Sequence, residues 1–331
     1  MIALLGKRLA AAIVIVFVLA LVVFYLQHIS PLDPVHAMLG ANASASAIAQ
    51  QKHALGLDRP IVSQFFHYIG GLLHGDLGTS YRTRRAVSTD LGKFVPATAE
   101  LALTGLVIAV ALGAIFAFAT TLRWRGSGIF RFILLVGSST PAFLLGILGI
   151  LLFYRNLNWL PATGRTSIDN APSGPTGLLM LDGLLHARPN VTWDAFQHLL
   201  LPATAIALGP AVAIGRVLRS SLVTDQRSDY ARTARAKGLG ELRILWKHVL
   251  RNGIGAALSM TGLQVGLMFA GVLVIEQVFS WPGIGQYVAQ SIPVADFPAI
   301  AGVTLLLGVT YVVINTVVDL LQAWADPRIK L

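Results

Sequence analysis

Six stretches of the chain run without a charged residue for long enough to cross about 30 Å of hydrocarbon as helices. They are Leu9–Leu26, Leu101–Leu122, Phe132–Tyr154, Leu199–Gly215, Asn252–Ile275 and Phe297–Val318, and only the fourth is marginal in length. Polar and charged residues collect between them. No segment shows the alternation of a barrel strand, so the spans are expected to be helices. The pattern predicts an all-α polytopic membrane protein with about six transmembrane helices. Ser138-Ser-Thr-Pro141 interrupts the third window, and Pro202 and Pro210 the fourth, so bends are expected in both. Hydroxyls beside a proline can satisfy the backbone groups it frees.

Composition agrees with this pattern. The 331 residues are 55% hydrophobic and 12% charged, with a mean hydropathy of +0.70, which excludes an ordinary soluble domain. The net charge of +10 would suit nucleic acid if it were spread over the surface, but its distribution follows the windows. With the N-terminus inside, segments 1–8, 123–131, 216–251 and 325–331 become cytoplasmic, and they hold 16 of the 25 Lys and Arg. That asymmetry supports six spans with both termini in the cytoplasm, and no nucleic acid partner. Cysteine is absent, which removes disulfides, thiolate chemistry and cysteine metal sites. The first window follows Lys7 and Arg8 like a signal peptide, yet QHISPLD offers no convincing cleavage site, and it is read as retained.

The chain divides into a first span (1–27), an extracytoplasmic region (28–98), a five-span core (99–325) and a cytoplasmic tail (326–331). Region 28–98 carries Phe65, Phe66, Tyr68, Ile69, Leu72 and Leu73, an apolar-aromatic patch expected to pack on the external face of the spans. His36, His53, His67 and His74 follow no metal-ligand spacing. Glu100 is read as a solvated or headgroup-level charge. Residues 155–198 read as loop with a short element or two, Trp159 and Trp193 serving as interfacial aromatics. The fifth span is rich in small and polar residues. Gly262-x-x-x-Gly266 permits close helix contact, and Gln264 must face protein or water. With Met268, Ser259 and Pro141, it forms the candidate lining of a translocation path.

The longest charged run, Asp229 to Asn252 (DYARTARAKGLGELRILWKHVLRN), lies between the fourth and fifth windows. Its first part sets Ala231, Ala234, Ala236 and Gly238 among Arg232, Arg235 and Lys237. Its second part is amphipathic, with Leu242, Leu245, Trp246 and Val249 at helical spacing and Arg243, Lys247 and Arg251 on another face. Such a segment is suited to meeting a partner.

This stretch resembles the cytoplasmic loop of permease subunits of bacterial ABC importers, whose motif is Glu-Ala-Ala, three residues, then Gly. The aligned residues here are Arg232-Thr-Ala234 and Gly238, a departure at the first two positions. DYARTARAKGL matches the oligopeptide/dipeptide/nickel (OppB/DppB-like) branch, which also carries counterparts of LGLDRP, GDLGTSY, WPGIGQ and the terminal DPRIKL. The resemblance covers almost the whole chain. It implies a MetI-like permease fold and a coupling helix formed by Asp229, Tyr230, Arg232, Thr233, Ala234, Arg235, Ala236, Lys237, Gly238 and Leu239, docking on an ATPase subunit.

The partners implied are a second homologous permease (OppC/DppC-like), two ATPase subunits or domains, and an extracytoplasmic substrate-binding protein. The function implied is half of an ATP-driven import path for oligopeptides or dipeptides, with nickel chelates or glutathione as alternative cargo. No G-x-x-x-x-G-K-[ST] occurs, so this chain is expected to be non-catalytic and without cofactor, ATP and Mg being bound by partner subunits. The alternatives from other classes are a stand-alone channel or secondary transporter and a membrane-embedded enzyme. The first usually keeps ionisable groups mid-membrane, and the six windows contain none. The second needs an acid-base or metal constellation, and no HExxH or GxSxG is present.

Overall fold

The computed structural model describes residues 2–30, 34–40, 43–122, 124–172 and 174–325. Arg123 and the tail Asp326–Leu331 lie outside the described residues. Helices dominate the rest, with only an isolated antiparallel bridge, Thr79 to Ala86, representing extended pairing among the described residues. The chain forms two compact units, one from Ile2–Thr98 and Pro282–Val312, the other built on Ala99–Trp281 and Val313 onward.

The first unit begins with α1 (Ile2–Ile29), followed by α2 (Pro34–Leu39), α3 (Ala45–Ala54) and α4 (Ile61–Leu73). Ser44 starts α3 by accepting from the Ala47 amide at 3.2 Å, a side-chain cap on an otherwise orphaned donor. The aromatic patch packs along the side of a membrane-length helix and not on an external face of the spans: Phe65 meets Phe17 and Phe24 of α1 edge-on at 6.0 and 5.2 Å, and Tyr68 stacks on Phe24 at 6.0 Å. Phe66 and Leu73 remain exposed.

After α4 the GDLGTSY motif folds into a tight loop that leads to α5 (Val87–Thr121). Asp296, fully buried just before α14 (Phe297–Ala325), gathers this loop. Its carboxylate accepts from Ser80 Oγ at 2.5 Å and from the Tyr81 and Arg82 amides at 3.0 and 3.2 Å. Burial, and then the Asp296 charge, pushes the Tyr81 phenol up to about 12. Phe94 stacks on Tyr287 of α13 (Ile284–Ser291), while Thr98 Oγ1 accepts from the Ile284 amide at 2.8 Å. We expect Asp296→Ala to lower stability by about 3 kcal/mol, because three buried donors lose one acceptor. Thermal unfolding in detergent measures this, and Asp296→Asn, which keeps an acceptor oxygen, should lose less.

The second unit is organised on α9 (Pro189–Gln226). The marginal fourth window is the middle of this 38-residue helix, which continues through Pro202 and Pro210. Against it pack α6 (Ser127–Ser139), α7 (Ala142–Gly149), α8 (Leu179–Leu185) and α12 (Leu250–Val278). Where α5 meets α9, Gly113 and Gly215 bring the backbones together. A Cβ on Gly113 would lie 2.8 Å from the Ala211 carbonyl oxygen, and one on Gly215 would lie 2.8 Å from that of Gly113. Gly262 instead makes room for the Val318 side chain of α14, which lies 2.9 Å from where a Cβ would be.

The third window departs most from a simple span. It breaks between α6 and α7 by 113°. Pro141 cannot donate to the helix, and its ring drives Thr140 out of the helical region to φ −95°, ψ 135°. Ser138 and Ser139 donate to the Leu135 carbonyl at 3.0 and 2.9 Å, and Thr140 to Val136 at 3.0 Å. The hydroxyls thus satisfy the last turn of α6, as the sequence pattern suggested.

Glu100 corrects an expectation. It is 5% exposed rather than solvated. It pairs with Arg165 and accepts from the Met180 amide at 2.7 Å. The Arg165 guanidinium also donates to the Gly177 carbonyl and lies 5.8 Å from the Trp281 ring. The 155–198 segment is consequently a structured cap on this unit as well as a loop. Trp159 and Trp193 are exposed.

Candidate functional site

Two places in the second unit concentrate the candidate residues. The first is α10 (Asp229–Ala236), which follows α9 after a two-residue turn. Asp229 favours the first turn of this helix electrostatically and pairs with Arg232 at 3.0 Å. Gly238 ends it at φ +78°, a left-handed conformation that suits glycine. The amide of Leu239 closes the turn on the Ala234 carbonyl at 3.2 Å.

The small residues of α10 point in two directions. Ala231 and Ala234 are buried in a cluster with Leu218 and Leu222 of α9, Ile244, Leu245, Val249 and Ala257 of α12. Leu239 packs against the same cluster. Tyr230, Arg232, Thr233, Arg235, Ala236, Lys237 and Gly238 remain exposed, as does Asp229. Arg235 is tied to Glu241 at 2.6 Å and to the Gln226 carbonyl at 3.0 Å, and the Glu241 contact holds its guanidinium pKa above the ordinary value. The segment as a whole was read as suited to meeting a partner, which its small residues could approach closely. Two of them instead serve the chain's own core.

The following amphipathic segment also differs from its expected face. It forms α11 (Glu241–Ile244) and then wider, π-type turns over Leu245–Val249 before α12. Ile244, Leu245 and Val249 are fully buried, whereas Leu242 and Trp246 are both 59% exposed. A π-type turn accommodates an extra residue, so positions aligned at 3.6-residue spacing part company. Trp246 finds a neighbour in Phe118, stacked at 4.7 Å.

The second place is a cavity of about 200 Å3 at the α6–α7 break. Thr140 and Ala142 flank Pro141 on one wall, Ile206 and Pro210 of α9 form another, and Gln264 and Met268 of α12 the third. The Gln264 amide has one side-chain partner among the described residues, the Met260 sulfur at 3.6 Å. Pro210 has no N–H to give the Ile206 carbonyl. The wall therefore combines apolar surface with a primary amide and an under-served carbonyl. Ser259 lies elsewhere, exposed and donating to the Gly255 carbonyl. Ile206 and Pro210 escaped the sequence reading as cavity residues. The proline was visible, but which window faced Gln264 was not.

Five described helices are long and apolar enough to cross a membrane, and the broken α6–α7 pair makes a sixth if it counts as one span. The all-α polytopic architecture expected from the pattern is therefore what the chain adopts. No group of three His, Asp or Glu fit to hold a metal occurs among the described residues.

Residues 95–331 match the family described as binding-protein-dependent transport system inner membrane component, and residues 1–102 match the N-terminal part of such membrane components. The chain is 38% identical over 330 residues to the probable D,D-dipeptide transport system permease protein of Escherichia coli, covering 98% of this chain and 96% of that one. It is 36% identical over 328 residues to the dipeptide transport system permease protein of Alkalihalophilus pseudofirmus, covering 98% of each. It is also 36% identical over 328 residues to the glutathione transport system permease protein of Salmonella typhimurium, covering 98% and 97%. The chain belongs to the binding-protein-dependent transport system inner membrane component family, and its function is that of a permease subunit.

Proposed function

We propose that this subunit forms half of an ATP-driven import path for short peptides, with a homologous permease forming the other half. An extracytoplasmic binding protein delivers the peptide, and two ATPase subunits dock on the exposed side of α10. The basic segments then face the cytoplasm, as do both termini. ATP and Mg belong to the ATPases.

One observation carries this reading. The cluster that holds Ala231 and Ala234 includes residues of α9 and α12, and those same two helices line the cavity at the α6–α7 break. A displacement of α10 is thereby transmitted to two of the three walls. Alternating access needs such a link, because a packed core moves as discrete bodies and does not deform continuously.

The dipeptide relatives support peptide cargo. A dipeptide presents an amide donor and acceptor, which the Gln264 amide and the Ile206 carbonyl complement. Uptake of labelled dipeptides into proteoliposomes containing the whole transporter tests this, with glutathione and a nickel chelate as comparison cargo. We expect Gln264→Leu, at equal membrane level, to reduce dipeptide uptake about tenfold, the loss of one buried polar contact. Unchanged uptake would remove Gln264 from the path, and preference for the nickel chelate would replace the peptide assignment.

A further inference from the structure

Beside α10 lies a second cavity, of about 520 Å3. Thr120 and Thr121 from the end of α5, Arg219 and Arg227 from α9 and its final turn, and Arg232 and Arg235 from α10 all line it. No acidic side chain is among its lining residues. Arg232 and Arg235 have carboxylate partners, Asp229 and Glu241. The side chains of Arg219 and Arg227 make no ion pair or hydrogen bond among the described residues. Thr121 Oγ1 is buried without a hydrogen-bond partner.

Four guanidinium groups therefore line one cavity, and those of Arg219 and Arg227 bring no carboxylate with them. Their planar donor forks suit the oxygens of phosphate, which Arg binds bidentately. The buried Thr121 hydroxyl, without a partner of its own, supplies an uncharged donor from α5. The cavity also draws on helices long and apolar enough to cross a membrane. It lies at the ends of two membrane-length helices, and Arg219 is about 10 Å along α9 from its last residue at 1.5 Å per residue. An acidic protein partner is the competing occupant, because Arg232 and Arg235 also belong to the exposed side of α10, while the helix ends that supply Thr120, Thr121 and Arg219 favour a lipid.

We propose that this cavity is a binding site for a phosphate group, supplied by the phosphodiester of an anionic phospholipid. The bound headgroup bridges α5 and α9 to α10 and holds the docking helix against its own spans. The site is distinct from the cavity at the α6–α7 break and borders the exposed side of α10 through Arg232 and Arg235. It stands whether or not the chain imports peptides.

The test uses the full chain extracted from its membrane and placed in nanodiscs of phosphatidylcholine with added phosphatidylglycerol or cardiolipin. Native mass spectrometry reads retained lipid, and a separate titration with inorganic phosphate reads thermal stabilisation. We expect wild type to retain the anionic lipid, Arg219→Gln/Arg227→Gln to retain it at least tenfold less, and Arg219→Lys/Arg227→Lys to recover part of the loss. Stabilisation by inorganic phosphate with no lipid retained would uphold the phosphate site and overturn its lipid source. Equal retention by wild type and the glutamine variant overturns the site altogether. So does a glutamine variant that keeps its lipid and loses only a protein partner, since the cavity is then a protein contact.

Discussion

Replacing Glu100 with alanine should lower the stability of the protein by about 3–5 kcal/mol, the usual cost of stranding one member of a buried ion pair. Its partner, Arg165, has a side chain only 17% exposed and makes one further bond, to the Gly177 carbonyl. The Met180 amide would also lose its acceptor. The removed carboxylate therefore leaves a cation and an amide without compensation, and the cap formed by 155–198 loosens from α5. Removing both charges is different. Glu100→Ala/Arg165→Leu leaves no orphan charge and should cost clearly less than the two single changes added together. Thermal unfolding of the detergent-solubilised variants measures all three. A Glu100→Ala protein that unfolds with wild type would mean that the pair is broken in solution.

A second large effect is expected at Ala234. Glutamate there would place a carboxylate among Leu222, Ile244, Leu245 and Val249 with no cation in the cluster. A buried unpaired charge costs several kcal/mol even after its pKa adjusts. We expect α10 to detach from α9 and become rapidly cleaved by protease between residues 226 and 241. Ala236→Glu, two residues on, lies on the exposed side and should stay within about 0.5 kcal/mol of wild type. The same substitution thus separates the inward side of the helix from the outward one. Equal protease resistance at the two positions would contradict the packing described for α10.

The contrast at α10 also shows where sequence reading stopped. The membrane-length windows and the break at Pro141 were legible, because apolar length and a missing backbone donor act locally. Gln264 and Met268 could be singled out because polar or soft groups are sparse in a hydrocarbon-length window. The partner of Glu100 was not legible. Arg165 is 65 residues away, and a charge at a membrane edge looks the same whether solvated or paired. Leu242 and Trp246 were placed with Leu245 and Val249 on the assumption of 3.6-residue turns, which the π-type turns break. The alanines of α10 were ambiguous for a different reason: a small side chain permits close packing on either side of a helix. The GDLGTSY and WPGIGQ motifs were legible only as part of the resemblance, and the structure adds what they hold. Asp296 fastens the first, while Trp281 and Tyr287, both buried, anchor the second and the helix after it.

The central claim is that ATP-driven motion enters this subunit through the outward side of α10. Co-purification with co-expressed ATPase subunits, comparing wild type with Ala236→Glu/Lys237→Glu, tests it most directly. Both positions are exposed, so the variant should insert at the normal level and keep the protease resistance of α10. The account predicts that wild type brings down the ATPases and that the variant loses them, together with ATP-dependent uptake. A variant that retains its ATPases and its uptake, or a wild type that purifies alone, would contradict it.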